Sequence, residues 1–194
     1  MKKSIGPDKV KTAVFISGTG SNLKNLIKFS FKKNSPISIN LIISNKSNAK
    51  GLKYANQQKI EKKIINFIRP KESEKKIINL LTKKKITFIC LAGFMKILSN
   101  NFLKRFNGKV INIHPSLLPK YKGLDTHKRV LKNNEKFSGC TVHYVTSKLD
   151  SGKIILQKKI KIMKNETKNT LQKRILKEEH KLYPRAIKKI LSNL

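Results

Sequence analysis

The chain predicts one α/β domain: a mostly parallel, twisted, Rossmann-like sheet flanked by helices, with an antiparallel strand pair near its C-terminal end. Three observations predict it. Short apolar runs alternate with helical-period segments up to residue 114, as in parallel strands joined by crossover helices. The run Thr87 to Ala92 lacks polar alternation, as a strand buried on both faces requires. Beyond residue 114, two strand-like segments lie only a short turn apart, which suits antiparallel pairing. The 194 residues suffice for one core, and no linker or repeat divides them.

In order, Thr12 to Ile16 reads as a strand, Ser17 to Asn22 as a tight turn and Leu23 to Phe31 as a helix. Ile37 to Ser44 is a second strand, Ala49 to Gln58 a helix and Ile64 to Phe67 a short third strand. Lys75 to Lys84 is amphipathic, with Ile77, Ile78, Leu80 and Leu81 on one side. Thr87 to Ala92 is the central strand, followed by a helix near Asn100 to Phe106 and the strand Val110 to Ile113. Gly139 to Val145 and Ile154 to Ile160 form the antiparallel pair. Thr167 to Leu191 is a closing helix, which Pro184 is expected to kink or break.

Composition narrows the classes. No run of 18 apolar residues exists, so no spanning helix is expected. The segment Met1 to Asp8 has charge but no apolar stretch, so no secretory signal is expected. Cys90 and Cys140 lie far apart in strand-like contexts and read as reduced core thiols of a cytoplasmic protein. The net charge of +35 raises a nucleic-acid reading. However, only five of the 45 basic residues are Arg, and the Lys residues are spread through nearly every predicted helix. Lys, Asn and Ile supply 40, 18 and 25 residues, and all have AT-rich codons, so compositional drift accounts for the charge without a specific nucleic-acid partner. Such a charge still attracts anionic substrates.

The strand end Ile111-Asn112-Ile113-His114-Pro115 carries the chemistry. Alternation puts Asn112 and His114 on one face, and Pro115 holds His114 extended. Asp150, in Leu149-Asp150-Ser151-Gly152, can supply a carboxylate that keeps such a histidine charged. Together they suit a reaction that builds negative charge on a carbonyl oxygen and moves a proton. A lone histidine at a strand end also serves as a structural hydrogen-bonder, but a buried Asn beside it with nothing to bind would be costly. His143 and Asp150 straddle a strand end and can converge on the site, although His143 lies mid-strand and reads as structural. Asp125 is placed to cap a helix before His127, and a surface ion-pair role is the default for His180, Glu178 and Glu179.

Gly18-Thr19-Gly20-Ser21-Asn22 joins a strand to a helix, where unpaired N–H groups can receive an anion. Leu23 replaces the third glycine of a dinucleotide fingerprint and no Walker lysine follows, so a single phosphate fits better than a dinucleotide. A plain turn with Ser21 as helix cap fits equally. Met95, Ile97 and Leu98 suit either ordinary core or an apolar cleft for a flat ring. Leu118-Pro119 is a candidate cis peptide.

These segments resemble the folate-dependent formyltransferases. The resemblance is carried by Ile111 to Pro119 with Lys120 to His127, by Ile16 to Leu23, Leu91 to Leu98, Thr141 to His143, Leu149-Asp150, Ile154 to Gln157, and Glu179-His180 with Tyr183-Pro184. It runs along nearly the whole chain and is nearest to the branch acting on glycinamide ribonucleotide. It implies transfer of a formyl group from 10-formyltetrahydrofolate, as co-substrate and without a metal, to the amine of that ribonucleotide. It also implies one formyltransferase domain over 1–194, with a nucleotide-binding part at about 11–114 and a folate and catalytic-loop part at 115–194. By position, Asn112 and His114 would bind the formyl oxygen, and Asp150 would hold His114 charged and relay protons. Gly20, Ser21 and Asn22 would take the phosphate, and Glu179 the glycinamide end. Arg69, Met95, Lys96, Ile97, Leu98, Asn112, Thr146, Ser147, Lys148, Leu149 and Asp150 would frame the folate.

The sequence departs from the family pattern in four places. Pro70 stands at a position where Arg commonly holds the folate tail, leaving Arg69 or Lys71 to serve. Ser151 replaces a glycine after the aspartate, Lys96 replaces a common Arg, and the chain stops soon after its last helix. Family branches that formylate an aminoacyl-tRNA or hydrolyse the folate carry a further domain, for which 194 residues are expected to leave no room. The expected protein is thus a cytoplasmic monomer or homodimer whose partners are the ribonucleotide and the folate, with no membrane association.

Overall fold

The computed structural model describes residues 9–192, so the Met1 to Asp8 reading lies outside it. Seven strands form one sheet in the order β3-β2-β1-β4-β5-β6-β7. The strands β1 (Val10–Ile16), β2 (Ile37–Ser44), β3 (Lys62–Ile64), β4 (Phe88–Leu91) and β5 (Lys109–His114) are parallel. The strands β6 (Phe137–Tyr144) and β7 (Ile154–Lys161) run antiparallel to their neighbours. Two cores cover the two faces. One packs Ile111, Ile113, Cys140 and Val142 against the helices α1 (Ser21–Ser30) and α6 (Lys168–Leu191). The other packs Ala13, Phe15, Ile89 and Val110 against α3 (Pro70–Lys83) and α4 (Asn100–Arg105). The predicted sheet class and the alternation along β5 both hold.

The differences from the sequence reading have local causes. The third strand is Lys62–Ile64 rather than Ile64 to Phe67, because β2 offers partners only as far as Ser44. Past it, Phe67 turns into the core and packs edge-on against Phe94. Helix α3 starts five residues early, at Pro70, because its first turn is polar and lacks an apolar stripe to signal it. The helix α2 (Leu52–Gln57) is shorter than Ala49 to Gln58 because Gly51 is pressed against Gly20. Asp125 occupies the N-cap position of α5 (Thr126–Lys132) but makes no side-chain cap bond; it pairs with Lys168 at 3.4 Å. Leu118-Pro119 is cis.

Helix α6 runs unbroken through Pro184, so of the expected kink or break the break does not occur. A proline removes the N–H that would reach the carbonyl four residues back, here that of His180. The Asn25 side chain on α1 donates to that carbonyl at 2.7 Å and satisfies it. One residue earlier, the fully buried Tyr183 hydroxyl lies 2.9 Å from the Leu91 carbonyl and 3.2 Å from that of Ile111. It ties α6 to the two strands that deliver the site. Tyr183→Phe should therefore cost about 1–2 kcal/mol, read as a lower urea midpoint with an unchanged m-value.

Candidate active site

β5 carries Asn112 and His114 to one face, and the antiparallel register sets His143 of β6 directly opposite Asn112. The Asn112 Nδ2 lies 3.2 Å from His143 Nε2, while His143 Nδ1 lies 2.8 Å from the Tyr144 carbonyl. A carbonyl accepts only, so Nδ1 bears the proton and Nε2 accepts from the Asn112 amide. His143 is thus a neutral acceptor that fixes the rotation of Asn112. Burial lowers its pKa, in keeping with that state.

Asp150 comes back over this face from the turn between β6 and β7, held at φ 44 in the left-handed region. Its Oδ2 accepts from Gly123 N at 2.9 Å and lies 3.4 Å from His114 Nδ1, and its Oδ1 lies 3.7 Å from His143 Nε2. His114 Nε2 lies 2.8 Å from the Tyr121 carbonyl and so donates to it. The ring thus has a carbonyl at one nitrogen and a carboxylate 3.4 Å from the other.

A cleft opens beside this cluster, lined by Lys96, Ile97, Leu98, Asn112, Thr146, Lys148, Leu149 and Asp150 among the expected folate residues. Leu91, Phe94, His143 and Val145 also line it and were not expected. Their apolar or strand-internal character gives no separate signal in sequence. Three expected residues are not on its walls. The Arg69 side chain is 76% exposed and pairs with Glu72 at 3.3 Å. Met95 is exposed, and what it contributes is its backbone N–H, which donates to Ser17 Oγ at 2.8 Å. Ser147 is absent from the lining as well. The buried Ser17 hydroxyl also donates to Asn45 Oδ1, so one side chain at the end of β1 joins the Gly93–Leu98 loop to the β2 end. This is the point where the sheet order reverses, with β2 on one side of β1 and β4 on the other, and open α/β folds place ligands there.

The glycine turn lies on the same edge. Gly20 sits at φ 74 as the N-cap of α1 with no side-chain cap, so Ser21 is the first helical residue rather than the cap. A Cβ on Gly20 would stand 2.5 Å from the Gly51 Cα, so two glycines are required where the turns meet. Sequence reading had singled out only the first. The uncapped N-terminus leaves backbone donors for an anion, and Lys24 and Lys53 flank it over the Tyr54 ring. Asn22 and Glu179 meet across 157 residues, with Asn22 Nδ2 donating to Glu179 Oε2 at 2.6 Å. Glu179 is 7% exposed, so it is no surface ion-pairing residue; that role falls to Glu178, with Lys181. His180 joins no ion pair among the described residues. Burial pushes the Glu179 carboxyl up to about 7, against the lowering pull of the Asn22 bond.

Comparison with known proteins places this geometry. Residues 10–187 match the formyl transferase family. The chain belongs to that family. It is 40% identical over 181 residues to the phosphoribosylglycinamide formyltransferase of Haemophilus influenzae, covering 92% of this chain and 85% of that protein. It is 42% identical to a segment of the human trifunctional purine biosynthetic protein adenosine-3, over 95% of this chain. It spans only 18% of that protein's length. The crystal structure of phosphoribosylglycinamide formyltransferase from Brucella melitensis superposes with a TM-score of 0.90 at 38% identity, covering 96% and 98% of the two chains.

Against the family pattern, the Ser151 departure is harmless to the turn. The position with no room is Gly152, where a Cβ would stand 1.7 Å from the Tyr144 carbonyl, and that glycine is present. Ser151 Oγ donates to the Leu149 carbonyl at 2.8 Å on the exposed side. Among the described residues no group of three His, Cys, Asp or Glu is placed to hold a metal.

Glu179 generates a pH prediction. An acid whose folded pKa is raised binds its proton more tightly when folded. Its contribution is full below the unfolded value and is lost as pH rises through the folded one. From about pH 4.5 to about 7 the chain should lose up to about 3 kcal/mol from this group. Glu179→Gln should flatten that part of the stability–pH curve, measured by urea unfolding across the window.

Proposed function

We propose that the chain transfers the formyl group of 10-formyltetrahydrofolate to the amine of glycinamide ribonucleotide, yielding formylglycinamide ribonucleotide and tetrahydrofolate. This is a step of purine biosynthesis. The reading rests on the Asn112, His114 and Asp150 cluster, of which Asn112 and Asp150 line the cleft, in a chain of this family. On this reading the protein works in the cytoplasm, as a monomer or homodimer, on two anionic ligands that its +35 charge attracts.

In the reaction the substrate amine forms a bond to the formyl carbon, negative charge gathers on the formyl oxygen, and the bond to folate N10 breaks. One proton leaves the attacking nitrogen and one reaches N10. Asn112 has a second Nδ2 hydrogen beyond the one directed at His143, and this hydrogen serves the formyl oxygen. A positioned donor of this kind is worth roughly 2.7–4 kcal/mol in comparable sites. His114 Nε2–H reaches the same oxygen by exchanging the Tyr121 carbonyl for it as acceptor. Asp150 holds the imidazolium in place and takes part in the proton relay. No covalent nucleophile is needed: burial pushes the thiols of Cys90 and Cys140 up, the latter to about 12.

The ribonucleotide phosphate is assigned to the N-terminal N–H groups of α1 beyond Gly20, with Ser21 beside them. Asn22 and Glu179 are assigned to its glycinamide end, where the carboxylate accepts from the amine N–H. The pterin ring lies against Lys96, Ile97 and Leu98 on one side and the turn from Thr146 to Asp150 on the other. Arg69, or Lys71, is left for the folate tail outside the cleft.

The direct test follows absorbance of the deformylated folate with and without glycinamide ribonucleotide. A change that requires the ribonucleotide supports the transferase, and a change without it identifies a hydrolase instead. Asp150→Asn keeps an acceptor for Gly123 N–H but removes the charge, so turnover should fall about 10²-fold or more with folding intact. Asn22→Ala should raise KM for the ribonucleotide about tenfold and leave the folate KM nearly unchanged. A shift in the folate KM instead would mean that the two half-sites are reversed.

A further inference from the structure

Ser17 follows the last residue of β1 and precedes the glycine turn, yet its side chain bonds elsewhere. The pairing of β1 with β4 carries on past the end of β4: Ala92 N donates to the Phe15 carbonyl at 2.9 Å, and Ser17 N to the Gly93 carbonyl at 3.1 Å. Gly93 sits at φ 77, in the left-handed region, where regular pairing stops. Beyond it, the Met95 N–H meets the Ser17 hydroxyl at 2.8 Å instead of a backbone carbonyl. That hydroxyl donates in turn to Asn45 Oδ1, so its hydrogen points at Asn45 and its lone pairs are left for Met95. Ser17 and Asn45 are both buried, where a bond left unmade is costly.

The bond from Met95 falls at one end of a short exposed span. Met95, Lys96 and Ile97 are exposed between the buried Phe94 and Leu98. The far end is gripped by α3: Ser99 donates to the buried Glu74 carboxylate, from its N at 2.7 Å and from its Oγ at 2.5 Å. The near end is gripped by Ser17. Between the two grips, Lys96, Ile97 and Leu98 form one wall of the cleft. We propose that Ser17 is a positioning residue for the folate. Through the Met95 N–H it fixes where the Lys96 to Leu98 wall stands, and Asn45 fixes the direction of its hydroxyl. The identity of the ligand on that wall rests on the formyl-transfer reading. A serine that merely closed the end of β1 would not separate the two half-sites, because Gly18 of the phosphate turn is its next residue.

The test is calorimetric titration of the full chain, unaltered and as Ser17→Ala, with tetrahydrofolate and separately with glycinamide ribonucleotide. Ser17→Ala keeps the backbone bond to Gly93 and removes only the hydroxyl. Loss of that bond should raise the folate Kd about five- to tenfold and leave the ribonucleotide Kd within about twofold. Asn45→Ala leaves the hydroxyl in place without its acceptor and should raise the folate Kd by a smaller factor. The double variant should bind the folate no more weakly than Ser17→Ala, because the two side chains act as one unit. Unchanged folate binding by Ser17→Ala, an equal loss for both ligands, a loss for the ribonucleotide alone, or additive losses in the double variant would each overturn the role of Ser17. If the unaltered chain itself fails to bind tetrahydrofolate, the formyl-transfer reading falls and the role of Ser17 falls with it.

Discussion

The buried carboxylate of Asp150 is the point on which the site depends. Its side chain is 8% exposed, and an unpaired charge at that depth would cost several kcal/mol. Two segments distant in sequence converge on it: the Gly123 N–H from the loop after β5 donates to it, and His114 at the end of β5 stands 3.4 Å away. The turn that carries it accepts a left-handed backbone at a non-glycine residue and presses Gly152 onto the Tyr144 carbonyl. Each feature makes sense as a condition for keeping one buried carboxylate beside His114.

The two histidines around it differ in what faces their ring nitrogens. His143 has a backbone carbonyl at Nδ1 and an amide N–H directed at Nε2, so it is neutral and serves as a fixed acceptor. His114 donates from Nε2 to the Tyr121 carbonyl and has the carboxylate 3.4 Å from Nδ1. One is a strut for Asn112 and the other a donor to the loop carbonyl of Tyr121. At the other end of the site, α6 plays a comparable part. Within a few residues it supplies Glu179 to Asn22, the His180 carbonyl to Asn25, and the Tyr183 hydroxyl to β4 and β5. A helix interrupted at Pro184 could not hold these in register. The Asn25 bond compensates the His180 carbonyl for the partner that proline removes.

Elements that bury a periodic stripe were legible: β2, the central β4, and α1 with its apolar positions. Elements fixed by a neighbour were not. The extent of β3 is set by where β2 ends, the start of α2 by the contact of two glycines, and the first turn of α3 by Pro70 at its first position rather than by hydrophobicity. The site divides in the same way. Asn112 and His114 were visible because two polar residues on an apolar strand need a reason. Glu179 looked like a surface acid because nothing near it in sequence signals that α6 buries that face against Asn22.

By itself the sequence determined the α/β class, the pairing of Asn112 and His114 on one strand face, and membership of the formyltransferases. Strand period and turn chemistry are local, and motif order is read along the chain. Only the tertiary structure decided that His143 stands opposite Asn112, that His114 rests on the Tyr121 carbonyl, and that Arg69 lies outside the cleft. It also decided that Gly51 must match Gly20. Antiparallel register and the return of a turn over a sheet face depend on partners dozens of residues away. A one-residue slip in β6 would have turned His143 to the opposite face.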